Sequence, residues 1–402
     1  MSGSTKLSSN ESVVLMPMVS HQYRDIDLGK QPPTVEELQE QIRRGDTSFV
    51  HKLRYFSAGI RGSDSYWWQK RDELESWIDY HIANGNGPPT KFVTLSCAEN
   101  WWPDLRRLLI ELEEKAGDQK QVRELKRGGV AAMSKSAKRF NYYVNDFFIK
   151  RAKVFMDTVL KDGLGIEHYW ARVEFAPGRG QIHLHLLAIS NDKAYLNSFY
   201  KARTEKEKAA ALERYTTQVL DMTADVDIDE NHKVDTSRTS KSPLLRRYCE
   251  QKDEDDDEDC RQLSQECMCH KCNNYCLKPT NRQQQCSPRT CRSLFGQESE
   301  FGSQDTEGRP HQTVSTLYVD HRKIEHFLLP RTKSKRVVQH SKTLLKGWRG
   351  NVDIQILVYR SDPNCPDIRE IENVCKYCVA YASKKHHTMK VETEAIQDYI
   401  LA

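Results

Sequence analysis

The chain has 402 residues, 38% of them hydrophobic, enough to bury at least one sizeable core and to hold two or three domains. Its 61 lysines and arginines against 57 aspartates and glutamates leave a net charge of only +4, which excludes a general polyanion trap and makes any nucleic-acid-binding field local. No run approaches the about 18 apolar residues of a membrane helix, and the start lacks a charged region ahead of an apolar one, so a soluble, unsecreted protein with no membrane partner is expected.

Residues 1–30 are polar and without periodicity, and read as a disordered N-terminal tail. A helical region follows over 31–89, with one helix across Val35–Arg44 and a second across Asp64–Ile82, which Ser63 or Asp64 could cap. Asn86-Gly87-Pro88-Pro89 breaks it, and 90–248 forms the first part of the main domain. There the β-branched and aromatic content of Lys91–Ser96 predicts a buried strand, and Trp101-Trp102-Pro103-Asp104 opens another helix. Phe140–Leu160 predicts an amphipathic helix whose aromatics Phe140, Tyr143, Phe147, Phe148 and Phe155 face a core. Two apolar segments, Tyr169–Phe175 and Gln181–Ile189, then flank a tight turn, and Lys201–Leu220 is helical again. Residues 249–310 form an acidic linker and cysteine-rich insertion, in which the seven consecutive acids Asp253–Asp259 repel one another and are expected to stay disordered. The second part of the domain, 311–402, holds a strand over Val352–Tyr359 and a last helix near Ile371–Lys385.

Strand alternation puts His183 and His185 on one face, with Ile182, Leu184 and Leu186 on the other. If Gly178-Arg179 is a two-residue hairpin loop with glycine first, Glu174 lies opposite His183 and Arg172 opposite His185. Two imidazoles and a carboxylate then share a face, a mixed donor set for Mg²⁺, Mn²⁺ or Zn²⁺ with positions left open. A pair of half-buried structural histidines is the competing reading of His-x-His alone.

Tyr377 and Tyr381 stand four apart and share a helical face. A phenol can attack phosphorus when a metal polarises the phosphate, and Lys384 and Lys385 would supply positive charge beside it. The pair could equally be two core aromatics at i, i+4. Arg172, Arg179 and Lys385 surround the same site in this register and are candidate DNA contacts, with Trp101 or Trp102 able to stack bases or to pack a core. Seven of the twelve cysteines lie between Cys260 and Cys291, and the spacings Cys269-x-x-Cys272, Cys272-x-x-x-Cys276 and Cys286-x4-Cys291 suit a structural zinc site in a reducing compartment better than disulfides.

Taken in order, several stretches resemble the replication-initiator nuclease of Helitron rolling-circle transposons. They are Phe92–Ser96 with Trp101–Leu105, Tyr169–Phe175 leading into His183-Leu184-His185, Tyr275-Cys276-Leu277, Leu328–Arg331, Trp348–Gln355 and the tyrosine helix, together spanning Tyr66 to Lys385. Ile182 stands where that family usually has proline, and Ala380 where a lysine commonly precedes the second tyrosine. The resemblance implies an α+β fold, a ferredoxin-like HUH palm whose central antiparallel sheet has flanking helices, interrupted by a zinc-binding insertion. It implies that His183 and His185 bind the ion, expected to be Mg²⁺ or Mn²⁺, beside the Glu174 that the register supplies. It further implies that Tyr377 and Tyr381 make a 5′-phosphotyrosine link to single-stranded DNA, assisted by Lys384. Its cysteine pattern matches Cys272, Cys276 and Cys291, with Cys269 taken as the fourth zinc ligand and His270 and Cys286 as alternatives.

No G-x-x-x-x-G-K-[ST] loop is present, so a helicase is expected in trans or from a further C-terminal region. The expected activity is a single-strand DNA nickase and transposase. The alternatives are a catalytically inactive, zinc-containing DNA-binding protein of transposase descent, and a metallohydrolase using activated water. Nuclear localisation is expected from the resemblance and from Arg331-Thr332-Lys333-Ser334-Lys335-Arg336.

Overall fold

The computed structural model describes residues 35–44, 64–175, 180–190, 198–229, 231–237, 241–247, 256–271, 277–279, 289–291, 314–319, 325–334 and 336–359. The chain divides into a smaller unit, Met1–Trp77 with Val379–Ala402, and a larger one, Ile78–Cys378. In the smaller, helix α1 spans Val35–Arg43, with Glu36 and Glu37 in its first turn and Arg43 in its last, the charge order its dipole favours. Helix α2, Asp64–Ala83, begins there and carries the exposed pairs Lys70–Glu73 and Arg71–Glu75.

In the larger unit β1 (Lys91–Ser96) leads into four helices, α3 (Pro103–Lys115), α4 (Gln119–Arg127), α5 (Val130–Arg139) and α6 (Asn141–Phe155). Pro103 starts α3 where its missing N–H costs nothing, and the Asp118 side chain caps α4 by accepting from Gln121 N–H. A π-helical stretch, Met156–Gly163, ends α6. The hairpin strands β2 (Ile166–Phe175) and β3 (Ile182–Ser190) follow, then α7 (Glu205–Gln218), opened by a Thr204/Glu207 capping box. Next come β4 (Met222–Thr223), α8 (Asp256–Leu263), the short pairs β5 (Leu277–Pro279) with β6 (Arg289–Cys291) and β7 (Thr316–Val319) with β8 (Glu325–Leu328), and β9 (His340–Ser341), which pairs with β4. Helix α9 (Lys342–Trp348) and strand β10 (Val352–Ile356) are the last elements among the described residues.

The architecture is α+β, with a four-stranded antiparallel sheet in the order β10-β1-β3-β2 at its centre. One face carries Val93, Leu95, Leu184, Leu186, Ala188, Ile354 and Ile356 into a core shared with Leu105, Leu109, Leu125, Met133, Val144 and Phe148 of the helices. Strand alternation turns Phe92, Thr94, Ser96, Arg172, Glu174, His183, His185, Asp353 and Gln355 to the opposite face.

The described part of the acidic run, Asp256–Asp259, departs from expectation. Asp256–Leu263 is a helix, and its four leading acids sit at the N-terminal end, where the helix dipole offsets their repulsion. Asp259 is fully buried and accepts two hydrogen bonds from the Arg349 guanidinium, at 2.8 and 3.0 Å, while Arg246 approaches at 3.3 Å. Arg349 also donates to the Pro243 carbonyl, so a buried arginine has three acceptors in two segments. Isolated like charges would have kept this segment open; one buried partner of opposite sign folds it.

Candidate metal centre

The site grows out of the β2–β3 register. Glu174 pairs with His183 and Arg172 with His185, the pairing that strand alternation and a two-residue turn require. His185 Nε2 lies 3.0 Å and His183 Nε2 3.7 Å from Glu174 Oε2, and the two rings meet edge to face at 5.0 Å. Glu174, His183 and His185 form the one group of three such donors among the described residues, with all ligand atoms within 4.8 Å of one another. Donors each about 2.1 Å from a shared ion stand about 3 Å apart when they are adjacent ligands, so this donor set fits a divalent cation.

The remaining ring nitrogens are engaged in ways that leave both Nε2 atoms facing Glu174. His185 Nδ1 lies 3.0 Å from Thr94 Oγ1 on β1, and Phe92 stacks on the same ring at 5.6 Å. His183 Nδ1 lies 3.3 Å from its near-neighbour carbonyl, Gln181 O. Such outer contacts fix the tautomer and the aim of an imidazole ligand. Burial opposes ionisation of Glu174, but hydrogen bonds and charge from His183 and His185 outweigh it and hold the carboxyl well below the usual carboxylate range. The Gln181 side chain is committed elsewhere, donating to the Cys97 carbonyl.

Two segments named for their resemblance, Trp101–Leu105 and Trp348–Gln355, meet at the end of β1 beside this site. Trp348 Nε1 donates to Ser96 O at 2.8 Å, Ser96 N–H to Asn351 O at 3.0 Å, and Trp102 Nε1 to Arg349 O at 2.7 Å. Arg151 lies 4.5 Å over Trp102 and 5.4 Å over Trp348, and donates to Trp348 O. A Cβ on Gly350 would stand 3.3 Å from both Ser96 O and Ala98 Cβ, so only glycine lets the backbone approach this closely without displacement. Since Ser96 pairs with His183, this buckle fixes the strand on which the histidine strand lies.

It also corrects one expectation. Trp102 is 1% exposed, with its indole N–H already bonded, so it packs the core and offers no face to a base. Trp101 is half-buried against the same core, and Arg172 is buried on the side of the sheet that carries Glu174, His183 and His185. Thr94 and Phe92 were missed as site residues: they support His185 from a strand about 90 residues away, and only the β1–β3 register reveals it. Cys269 is half-buried and bridges Val337 through its backbone, while Cys291 is placed only by its pairing with Leu277. Tyr377, Tyr381, Lys384, Lys385, Arg179, Cys272 and Cys276 lie outside the described residues.

The family model described as the Helitron helicase-like domain at the N-terminus matches residues 14–188. That span includes β1, the Trp101–Leu105 segment, Glu174 and both histidines. The match supports a Helitron-related protein with a transposase-related role. No curated protein matches the chain.

Proposed function

We propose that the chain is a metal-dependent single-strand DNA endonuclease and strand transferase of the rolling-circle transposition type. The observation that carries this reading is the convergence of Glu174, His183 and His185 on one point, within the segment that matches the Helitron-type model. Bound there, Mg²⁺ or Mn²⁺ would polarise a scissile phosphate.

The chain's own residues do the rest. His183 and His185 present their Nε2 atoms, held in aim by Gln181 O and Thr94, and Glu174 supplies the negative charge that keeps a cation in place. Tyr377 or Tyr381 attacks phosphorus: a bond forms from the phenolic oxygen, the bond to the 3′-oxygen breaks, and a 5′-phosphotyrosine and a free 3′-hydroxyl result. Lys384 stabilises the phenolate as its proton leaves. The second tyrosine allows a further transfer before the first is reset. Arg172, Arg179 and Lys385 contact phosphates and Trp101 supports the adjoining strand. Cys269, Cys272, Cys276 and Cys291 bind a structural zinc that orders the insertion. A helicase, in trans or in a further C-terminal region, supplies single strands, and the protein works in the nucleus.

The test is cleavage of end-labelled single-stranded DNA by the full chain with Mn²⁺. Cutting should stop with EDTA and in the His183→Ala/His185→Ala variant. Undiminished cutting by that variant would contradict the proposal.

A further inference from the structure

Helices α5 and α6 carry a surface that the metal centre does not use. Between Val130 and Gly163 seven lysines and arginines stand against three aspartates, so this short stretch carries as much net positive charge as the +4 of the entire chain. Along α6, Val144, Phe148, Ala152 and Phe155 turn into the core at helical spacing. The same spacing leaves Tyr142 (73% exposed), Ile149 (49%) and Val154 (63%) in solvent with Lys150 and Lys153 interleaved among them, and also Tyr143 (44%), which was expected to face the core but falls off the Val144–Phe148–Phe155 stripe.

The tyrosine rings meet edge to face at 5.5 Å, Tyr143 does the same with Phe140 at 6.3 Å, and the Arg139 guanidinium lies 5.2 Å over Phe140. Lys150 and Lys153 are held only by exposed pairs, with Asp146 at 2.8 Å and Asp157 at 3.6 Å, which contribute little and exchange readily for phosphate. Phe147, one turn on from Tyr143, touches Trp102 at 6.1 Å, so the surface begins beside the buckle that fixes β1 next to His183.

We propose that this face of α5 and α6 is a track for single-stranded DNA, with Tyr142 and Tyr143 stacking bases and Lys138, Lys150 and Lys153 meeting phosphates, while Arg139 is held by buried Glu113. The helix is about 22 Å long, room for several nucleotides. A protein partner is disfavoured because the centre of such an interface is depleted of charge, whereas here lysines sit between the apolar side chains. Base stacking on exposed aromatics with flanking cations is how single strands are held without sequence preference. The choice of single-stranded DNA as occupant rests on the function proposed above.

Fluorescence anisotropy of the full chain with labelled oligothymidylate, in EDTA so that nothing is cut, tests it. Tyr142→Ala/Tyr143→Ala should weaken binding by about tenfold or more, and Tyr142→Leu/Tyr143→Leu, which keeps apolar bulk on the helix, should lose as much. An abasic strand of equal length should bind wild type and variants alike. Lys150→Ala/Lys153→Ala should lower the slope of log affinity against log salt by about 1.4. Wild-type affinity in both tyrosine variants overturns the track. So does self-association of the wild type that the tyrosine variants abolish in sedimentation, which would make this face an interface between copies. Tyrosine-dependent binding by a chain that never cuts DNA would sink the nuclease reading and leave the track standing; nicking with tyrosine-independent binding does the reverse.

Discussion

The aim of His185 depends on a hydroxyl from the neighbouring strand. With Thr94 Oγ1 3.0 Å from Nδ1, the ring is held with Nε2 toward Glu174, and losing that contact frees the ring to turn or to change tautomer. Thr94→Val keeps the shape and removes the hydroxyl, so Mn²⁺ affinity measured by electron paramagnetic resonance should fall about 10- to 100-fold, and Thr94→Ser should restore most of it. Unchanged affinity in Thr94→Val would mean that the ring is held by Phe92 stacking alone. Glu174 yields a second expectation. Its folded value lies below its unfolded one, near 4.3, so the carboxylate contributes stability above that pH and the contribution is lost as pH falls toward the folded value. Glu174→Gln should therefore flatten the acid side of a stability curve measured by urea unfolding. A variant that loses stability equally at neutral and acid pH would show that Glu174 acts by packing.

Elements with one buried face were legible because their periodicity follows from that face. The strand over Lys91–Ser96, the pairing of Glu174 with His183 and Arg172 with His185, and the helix opened by Trp102-Pro103 all emerge as read, and so does the shared face of Glu174, His183 and His185, while the Gly178-Arg179 turn lies outside the described residues. Elements set by distant partners were not. The acids of Asp256–Asp259 fold because Arg349, 90 residues on, neutralises Asp259, and Trp102 could stack a base or pack a core until its indole N–H met the carbonyl of Arg349. The same logic gives a test. Asp259→Ala leaves a buried guanidinium without its carboxylate and should cost about 3 to 5 kcal/mol in chemical unfolding, whereas Glu258→Ala, whose partner Arg261 is solvated, should cost about 1 kcal/mol or less. Equal effects would show that the Asp259–Arg349 pair does not hold α8 in place.

At the scale of the whole molecule, an antiparallel sheet separates two tasks. One face anchors the helices α3–α6 through apolar side chains, and the other presents a carboxylate and two imidazoles. The chain's small net charge hides local surpluses: the positive charge of α5 and α6 is offset elsewhere, as in the acids of α8. The sequence could place the chemistry on one sheet face but not the basic surface, because its lysines are unremarkable one by one and acquire meaning only when α6 turns them outward together. The central claim is that a tyrosine, assisted by the cation at Glu174, His183 and His185, joins the protein to DNA. The most direct measurement is a denaturing gel of the full chain incubated with end-labelled single-stranded DNA and Mn²⁺, followed by mass spectrometry of the labelled peptide. A covalent adduct on Tyr377 or Tyr381 is expected, absent with EDTA and absent from Tyr377→Phe/Tyr381→Phe, which should still bind the strand. DNA cut by that double variant, or cut by the wild type without any covalent adduct, would contradict the account.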